Sequence, residues 1–484
     1  MFAMRIVQQS LGLISVLILA RILTLDDFGI VAIAMLTIGL FQILSFSGSV
    51  QYIIQKIEVD DADLNCAWTI DIILKTILWV VLVISAPFIE DFLGKDSIAP
   101  VLWVLSVTLV IEACNNPGLI LYRKHLEYKK LFYLGLIQRL LSVLVVIVLA
   151  LLTQSYWSMI VGHIVQAIVG LIGSFMLHPY RPRFSLLRFK EQWAFSKWAL
   201  LKGCVGYTRS YIDNIFVSKL FGKSDIGRYH LSKDISMMPY DYIIVPITEP
   251  LLASFAKVKQ NFQSLAYQIR LSLLIVILIT TPICVFVWYF PEPIVDVLLG
   301  SKWSSTYSLF SYFSILLFTA CAGMVFGHCL VVLGKMKSIF IYDLFSLIFI
   351  TVGLLALMPK SLESFALNRG LLQILTWLVL VIFTAYYIKF SVTLTISLCL
   401  PVFCSAYIAA QFTKLLSISE ISLPLLELLY TVAVFFTVYG MCLLAFYFLY
   451  YKRFEEVRKI RELVQMSFNA ITKKIFKNKK IASA

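Results

Sequence analysis

LARILTLDDFG, at residues 19–29, is a short charged turn between two long apolar runs, and it decides the fold. The same arrangement returns as SKLFGKSDIG at residues 218–227, and the two copies align without a gap. The aligned pairs are Arg21 with Lys219, Asp27 with Asp225, Phe28 with Ile226 and Gly29 with Gly227. A hairpin that recurs after about two hundred residues predicts an internally duplicated membrane protein.

The composition supports this prediction. The chain has 484 residues, of which 60% are hydrophobic and 14% charged, and its mean hydropathy is +0.90. A soluble domain carries about 25% charged residues. Many separate stretches reach about 20 apolar residues, the length at which a helix crosses the hydrocarbon core. We therefore predict an all-α polytopic membrane protein; a β-barrel is excluded because its strands alternate apolar and polar residues.

The apolar runs predict fourteen spans. Their approximate bounds are 5–23, 28–53, 67–89, 100–121, 132–153, 157–177, 197–221, 227–255, 267–290, 307–334, 338–358, 365–388, 394–414 and 425–449. The hairpin repeat opens spans one and seven, so we expect two six-helix bundles and two additional C-terminal helices. Six spans separate the copies, so both enter the membrane in the same direction and the repeat is parallel. A weaker echo places Leu93-Gly94 before span four and Leu299-Gly300 before span ten.

The charge pattern gives the topology and the domain boundaries. Cations gather in alternate loops, such as 123–130 and 181–190, whereas the loops between them carry acids or no charge. By the positive-inside rule, the cation-rich loops and both termini are cytoplasmic. The predicted domains are an N-terminal bundle at 1–178, a cytoplasmic linker at 179–196, a C-terminal bundle at 197–390, an extra helix pair at 391–451 and a basic tail at 452–484.

The tail has apolar residues at helical spacing among its Lys and Arg residues. This pattern predicts a basic amphipathic helix on the anionic inner leaflet, and the alternative is a solvated tail. The net charge of +14 comes mainly from the loops and this tail, where membrane topology explains it. The charge therefore does not require a nucleic-acid partner, and none is predicted.

Motifs for other functions are absent from the sequence. The nine cysteines form no CxxC, and they imply neither a disulfide framework nor a metal site. No phosphate-binding GxxxxGK[ST] motif occurs, so ATP-driven transport by this chain alone is not expected. No HExxH motif, nucleophile elbow or paired carboxylates occur either. We predict no cofactor and no catalytic residues.

Charges inside the spans are the informative residues, because each costs about 2.5–3.5 kcal/mol at a helix centre and usually pairs or faces water. Span seven carries Lys202, Arg209 and Asp213 on one helical face. Arg209 is about 18 Å into the span, close to the membrane midplane. The face either lines a cavity, or Arg209 and Asp213 form a structural pair.

Further charges occur in spans three, four, five and eight. In span eight, Asp234 and Asp241 lie among prolines that bend the helix and suggest a cavity-facing segment. Glu112 is near mid-depth in span four. Lys75 in span three is one turn from Asp71 and most simply pairs with it, and Arg139 in span five could extend its side chain to the cytoplasmic surface.

A cavity containing these cations would favour an anionic ligand. Guanidinium groups bind phosphate bidentately, so phosphate or pyrophosphate on a lipid carrier is the natural candidate. The predicted substrate-binding residues are Lys202, Arg209, Arg139 and Lys75, and the predicted ion-coupling or gating residues are Asp213, Asp234, Asp241 and Glu112.

Several motifs together resemble the polysaccharide-transporter branch of Wzx-type flippases, which belong to the multidrug/oligosaccharidyl-lipid/polysaccharide (MOP) superfamily. The motifs are LARILTLDDFG with the following VQYIIQK at 50–56, residues 122–130, Ala256-Lys257-Val258, LGSKW at 299–303 and Leu333-Gly334-Lys335. The resemblance covers about residues 10–390. The two C-terminal helices resemble those of the lipid II flippase branch, which implies a lipid-facing groove.

The resemblance implies translocation of undecaprenyl-diphosphate-linked oligosaccharide, such as O-antigen or exopolysaccharide repeat units, across the bacterial cytoplasmic membrane. It implies two bundles around a cationic cavity, alternating access, and coupling to an ion gradient. The implied partners are the lipid-linked oligosaccharide, membrane lipids, and the polysaccharide polymerase and chain-length machinery. One alternative is a multidrug/cation antiporter of the same fold, in which acids should dominate the cavity. A more remote alternative is a membrane-embedded glycosyltransferase or polymerase, which needs a large outer loop or clustered acids.

Overall fold

The computed structural model describes residues 2–45, 48–56, 58–125, 127–388, 391–416, 423–462 and 465. Within these ranges, the side chains of residues 2–6, 9, 51, 55 and 194–202 are not described. Across the described part of the chain the regular structure is helical.

The helices follow one another with short connections. They are α1 (Phe2–Ile22), α2 (Leu25–Leu44), α3 (Ser49–Gln55), α4 (Asp61–Leu93), α5 (Ile98–Ala113), α6 (Leu119–Lys124), α7 (Tyr128–Thr153), α8 (Trp157–Leu177), α9 (Phe189–Leu220), α10 (Lys223–Pro239), α11 (Val245–Val258), α12 (Phe262–Tyr289), α13 (Pro291–Leu298), α14 (Tyr307–Val332), α15 (Met336–Leu357), α16 (Leu362–Ile388), α17 (Val392–Leu415) and α18 (Pro424–Tyr450). A π-helical turn, Tyr240–Ile244, joins α10 to α11, and a 3₁₀ turn, Ser301–Thr306, leads into α14.

The membrane-crossing helices match the predicted spans in order. Within the described residues, ten helices are long and apolar enough to cross a membrane, and Ser10–Ile22 and Ile98–Ala113 are shorter apolar helices. The two remaining predicted spans correspond to α9 and to the α10–α11 segment, which are long but carry charges. The chain is therefore an all-α, multi-pass membrane protein with about fourteen spans.

Two predicted spans are shorter than expected. Span two was expected to continue to residue 53, but α2 ends at Leu44 and α3 starts after Gly48, whose φ of 67° is left-handed. Span four was expected to reach residue 121, but α5 ends at Ala113. Pro117 lacks an amide hydrogen and disfavours helical geometry in the residue before it, so the helix restarts only at Leu119.

The two hairpin copies fold alike. In the first, α1 ends at Ile22 and α2 begins at Leu25; in the second, α9 ends at Leu220 and α10 begins at Lys223, which are the aligned positions. Thr24 caps α2, because its hydroxyl accepts from the Asp27 amide at 3.2 Å while the Asp27 carboxylate accepts from the Thr24 amide at 2.8 Å. This capping box explains the TLDD sequence of the first turn.

The glycine of the repeated Leu-Gly pair, at residues 93–94 and 299–300, adopts a similar backbone conformation in both copies. Gly94 ends α4 with φ 65°, and Gly300 follows α13 with φ 92°. Both glycines adopt left-handed conformations that a residue with a Cβ rarely accepts. Each turn leads toward the next membrane-spanning helix, α5 in the first copy and α14 in the second.

The chain divides into two compact units. Unit 1 comprises Met1–Ile235, Leu298–Thr306 and Phe340–Arg369, and unit 2 comprises Ser236–Val297, Tyr307–Ile339 and Gly370–Ala484. The boundaries predicted from the repeat for the two bundles stay predictions.

In unit 2, α12 packs against α14 and α17, and α17 packs against α18. Phe286 contacts both Phe290 and Phe435 through edge and tilted ring contacts. The beginning of the tail belongs to this unit, because the buried Glu456 carboxylate pairs with Arg270 of α12 at 2.7 Å. The helix predicted for the tail is described only at residues 455–462, and its later residues lie outside the described part.

Candidate functional site

The α9 face predicted from sequence carries a fully buried acid. The Asp213 carboxylate accepts hydrogen bonds from the Tyr229 hydroxyl at 2.8 Å and the Lys233 ammonium at 2.7 Å, both on α10. Arg369 of α16 lies 3.8 Å from the same oxygen. A buried charge is tolerated only when it is paired, so the Asp213 carboxylate needs both cations close to it. The three charged side chains therefore hold α9, α10 and α16 together.

Arg209, one turn before Asp213, has a different partner. Its Nε lies 3.4 Å from Oδ1 of Asp343 on α15, and its guanidinium carbon is 5.8 Å from the centre of the Tyr342 ring. The expected alternative of an Arg209–Asp213 pair is therefore wrong: Asp213 is already occupied by α10 and α16. Its Nε is buried and makes no hydrogen bond within the described part of the chain. The side chain nevertheless keeps 29% of its surface exposed, so part of it is accessible to a ligand.

The other predicted cations have separate surroundings. Lys202 is on α9, but its side chain lies outside the described ones. Arg139 on α7 places its guanidinium against Gly12 of α1, and it donates to Gln166 of α8 at 3.5 Å. Lys75 on α4 lines a cavity inside unit 1. Whether the four cations act on one substrate stays a prediction.

The predicted acids are also dispersed. Asp234 pairs with His230 one turn earlier, at 3.0 Å. Asp241 lies in the π-helical turn of unit 2, a conformation that often marks a functional bend. Glu112 of α5 lines the same cavity as Lys75. Of the predicted residues, the structure therefore places Lys75 and Glu112 in one cavity. Asp213 instead pairs with Lys233 and Arg369, which were not among the predicted site residues.

Sequence reasoning missed Asp343 and Arg369. Both are isolated charges within otherwise apolar spans, which is the signal that identified Arg209 and Glu112. A search for isolated charges in spans eleven and twelve would have found both residues. It would not have identified their partners.

The cavity that contains Lys75 and Glu112 has a volume of about 430 Å³. It lies among α2, α4, α5, α7 and α8. Polar side chains dominate its wall, with Gln42, Gln138 and Gln166 among them. We call it the bundle cavity.

Three of the sequence motifs meet at one end of unit 1. Trp303 of LGSKW is fully buried; its indole donates to the Ala20 carbonyl at 2.9 Å and its ring meets Phe28 edge-on at 5.4 Å. Lys302 donates to the Leu23 carbonyl at 2.6 Å. These two donors satisfy carbonyls at the end of α1 that have no partner within the helix.

The two hairpin glycines complete this contact. A Cβ added at Gly29 would lie 2.0 Å from the Lys223 carbonyl oxygen, and one added at Gly227 would lie 2.1 Å from the Leu25 carbonyl oxygen. Because Leu25 and Lys223 are themselves aligned, the two contacts are equivalent under the repeat. We call the set Ala20, Leu23, Phe28, Gly29, Lys223, Gly227, Lys302 and Trp303 the hairpin junction.

The interdomain linker binds the other loops of unit 1. Asn116 donates to the carbonyls of His178 at 3.0 Å and Tyr180 at 2.8 Å, and the Tyr180 hydroxyl donates to Asn65 at 2.9 Å. Burial raises the pKa of Tyr180 to about 12, and the nearby Asp61 adds to the shift, so the hydroxyl stays protonated as a donor. These contacts bring the loops around Asn65, Asn116 and Tyr180 together at one end of unit 1, and the side of the membrane that they face stays a prediction.

Unit 2 contains a large apolar groove of about 750 Å³ between α12, α17, α18 and the start of the tail. Leu278, Val402 and Leu444 line its length, and Arg461 of the tail is in its wall. We call it the C-terminal groove.

A family model described as "Polysaccharide biosynthesis protein" matches residues 18–308, more than half of the chain. The chain belongs to this family. It is similar to the lipopolysaccharide biosynthesis protein WzxC of Escherichia coli K12, with 24% identity over 343 residues that make up 69% of each chain.

Solved structures show the same fold. The lipid II flippase MurJ in an inward closed conformation matches with a TM-score of 0.74 and 15% identity over 91% of this chain and 98% of its own. An inward-facing multidrug resistance MATE family transporter of the MOP superfamily matches with a TM-score of 0.63 and 14% identity. The match covers 79% of this chain and 94% of the transporter. The predicted fold class and the resemblance to polysaccharide transporters of this superfamily are confirmed.

Proposed function

We propose that this protein is a flippase that moves undecaprenyl-diphosphate-linked oligosaccharide repeat units across the bacterial cytoplasmic membrane. It is a transporter and not an enzyme. The observation that carries the proposal is Arg209, a mid-span guanidinium that lies beside Asp343 and keeps 29% of its side-chain surface exposed, in a member of a polysaccharide biosynthesis family. Two parallel N–H donors match two oxygens of a diphosphate, and Asp343 holds the guanidinium from its Nε side.

The lipid part of the substrate requires an apolar path. The C-terminal groove is lined by aliphatic and aromatic side chains of α12, α17 and α18, and it is open enough for a polyprenyl chain. Arg461, in the wall formed by the tail, suits an anionic headgroup nearby. We assign this groove to the polyprenyl chain during translocation.

Transport by alternating access requires an outer closure that can open. The hairpin junction joins three loops that the charge pattern assigns to the outer side, with both termini in the cytoplasm. Two of its contacts are single hydrogen bonds to carbonyls at the end of α1. Two more are close contacts between backbones, which Gly29 and Gly227 allow because they have no side chain. Such contacts can separate without leaving a buried charge unpaired, so we assign the junction to the outer gate.

Coupling to an ion gradient needs a titratable group that is not neutralised by the fold. Asp213 is held by Lys233 and Arg369, and Asp234 by His230. Glu112 makes no ion pair with any residue in the described ranges. It is therefore the first of the four predicted acids to test for coupling.

The alternative function is a multidrug/cation antiporter, favoured only by the likeness of fold to the MATE transporter. A cation exporter needs an acidic site, whereas the cations Arg209, Lys233 and Arg369 outnumber the acids Asp213 and Asp343 in their network. For a glycosyltransferase or polymerase, no group of three acids, histidines or cysteines placed to hold a metal ion occurs in the described residues, and no observation favours that function.

The test is a clean deletion of the gene in its own host. A flippase predicts loss of the surface polysaccharide and accumulation of the lipid-linked repeat unit in the inner leaflet, both restored by the wild-type gene. An unchanged polysaccharide with altered sensitivity to cationic drugs would instead establish the antiporter. Accumulation of incomplete repeat units would point to a glycosyltransferase.

A further inference from the structure

The bundle cavity has a wall built for hydrogen bonding inside a segment that crosses the membrane. Five helices contribute to it, and each supplies a polar group: Gln42 of α2, Lys75 of α4, Glu112 of α5, Gln138 of α7 and Gln166 of α8. Amides in a lipid-facing bundle usually join neighbouring helices through hydrogen bonds. Here several of them surround about 430 Å³ of space instead.

Most of these groups are not used by the fold. Among the described residues, no hydrogen bond or ion pair engages the side chains of Gln42, Lys75, Glu112 or Gln138. Asn115, also in the wall, has a buried Oδ1 that accepts no hydrogen bond from the same part of the chain. Because polar groups inside a membrane-spanning bundle are normally satisfied, such a concentration of unused donors and acceptors around one cavity indicates a polar ligand.

The chemistry of the wall narrows the class of ligand. Lys75 disfavours a metal or organic cation, and within the described chain no three acids, histidines or cysteines are placed to hold a metal ion. Glu112 disfavours a diphosphate through like-charge repulsion. An apolar ligand would leave the amides unsatisfied. What fits is a neutral or weakly acidic molecule whose groups both donate and accept, as sugar hydroxyls do.

We infer that the bundle cavity binds one sugar residue of the transported saccharide. Each amide can donate to one hydroxyl and accept from another, Glu112 accepts from a hydroxyl, and Lys75 donates to a hydroxyl or to the carboxylate of an acidic sugar. The volume suits a monosaccharide and not a whole repeat unit with its lipid. This inference rests on the proposed function, and it separates sugar recognition from diphosphate binding at Arg209.

Gly170 shows how the wall is shaped. A Cβ added at this position would lie 2.5 Å from the amide nitrogen of Gln138, so the glycine lets that side chain lie against α8. Gly170→Ala should therefore displace Gln138 and alter the wall without removing a polar group.

The direct test is sugar binding by the purified full-length protein in lipid nanodiscs. The probes are glucose, N-acetylglucosamine and glucuronate, followed by saturation-transfer NMR. For ligands this small we expect dissociation constants of roughly 1–10 mM, so the probes are used at up to about 50 mM. At least one should bind the wild type, lose at least about fivefold in affinity in Gln42→Leu/Gln138→Leu, and keep its affinity in Gln411→Leu, a matched change in α17 of unit 2. Gly170→Ala should weaken binding by a smaller factor.

Absence of binding by all three sugars, or binding unaffected by Gln42→Leu/Gln138→Leu, would overturn the inference. Competition by inorganic pyrophosphate for the same signal would also overturn it, since the diphosphate is assigned to Arg209. The proposed function is judged separately, from polysaccharide export in cells. Export at the wild-type rate by the double variant, without sugar binding, would remove the sugar site and leave the flippase intact.

Discussion

Arg209 and Asp213 share one face of α9 yet have different environments. Asp213 is sealed among Tyr229, Lys233 and Arg369, whereas Arg209 has its Nε 3.4 Å from Asp343. The difference follows from depth in the packing, because Asp213 has no exposed surface and the Arg209 side chain keeps 29%. We therefore read Asp213 as a structural anchor and Arg209 as a binding group.

The anchor predicts a stability effect. Asp213→Asn keeps the size of the side chain but leaves Lys233 and Arg369 close together without a carboxylate. Loss of one partner from a buried ion pair costs about 3–5 kcal/mol. We expect strongly reduced membrane abundance and a lower unfolding temperature in detergent, whereas Asp234→Asn, whose side chain is more than half exposed, should leave both nearly unchanged. Equal abundance of the two variants would contradict this assignment.

The side chain of Arg209 also predicts a graded effect on transport. Arg209→Lys keeps the charge but loses bidentate geometry, and loss of one charged hydrogen bond corresponds to roughly tenfold weaker binding. Arg209→Ala should lose more. Polysaccharide export in a deletion strain, normalised to membrane abundance, measures both. Arg183→Ala, at an exposed linker position, is the control and should export normally. Full activity of Arg209→Lys would argue against bidentate contact.

At the scale of elements, sequence predicted the helices well and their contacts poorly. The repeat located both hairpins to the residue, because the turn between two spans is marked by charge and glycine in both copies. It did not show that Gly29 and Gly227 touch the opposite hairpin, nor that Trp303 reaches α1. Partners separated by two hundred or more positions leave no local pattern. Asp343 and Arg369 are each visible in the sequence as isolated charges in apolar spans, but their pairing with Arg209 and Asp213 leaves no local pattern either.

The hairpin junction predicts a gating phenotype. Gly29→Val places a branched side chain against the Lys223 carbonyl and should force α2 and α10 apart. If the junction is the outer gate, a cysteine introduced at Ser210 should then react faster with a membrane-impermeant maleimide added to intact cells. Gly327→Val, where an added Cβ meets no neighbour within 4 Å, is the matched control. The nine native cysteines also react with the maleimide. Their background labelling is measured in the same variants with Ser210 unchanged and is subtracted from each signal. Unchanged labelling in Gly29→Val would contradict the gate.

The start of the tail predicts a sharp boundary for truncation. Val457, Ile460 and Arg461 form part of the C-terminal groove, and Glu456 is tied to α12. A chain ending after Phe454 should show modestly reduced abundance and transport, whereas one ending after Gln465 should retain more of both. Immunoblotting and polysaccharide export measure the two. Equal behaviour of both truncations would show that the groove does not need the tail.

For the whole molecule, the charge pattern predicts which side each loop faces. The cation-rich loops 115–131 and 178–196 converge with the loop around Asn65 at one end of unit 1, and the loops of the hairpin junction converge at another site. Reporter fusions at Arg183 should read cytoplasmic, and those at Ser155 and at Ser419, which lies outside the described residues, should read extracytoplasmic. A cytoplasmic signal at Ser419 would remove the last helix pair from the topology.

The central claim is that Arg209 binds the diphosphate and does not merely pair with Asp343. The most direct measurement is polysaccharide export, at matched membrane abundance, by Arg209→Ala, Asp343→Ala and the double variant in the deletion strain. A structural pair predicts recovery in the double variant, because neither charge is then left unpaired. We predict that Arg209→Ala/Asp343→Ala remains as defective as Arg209→Ala, while Asp343→Ala retains partial export. Recovery of export by the double variant would contradict the account.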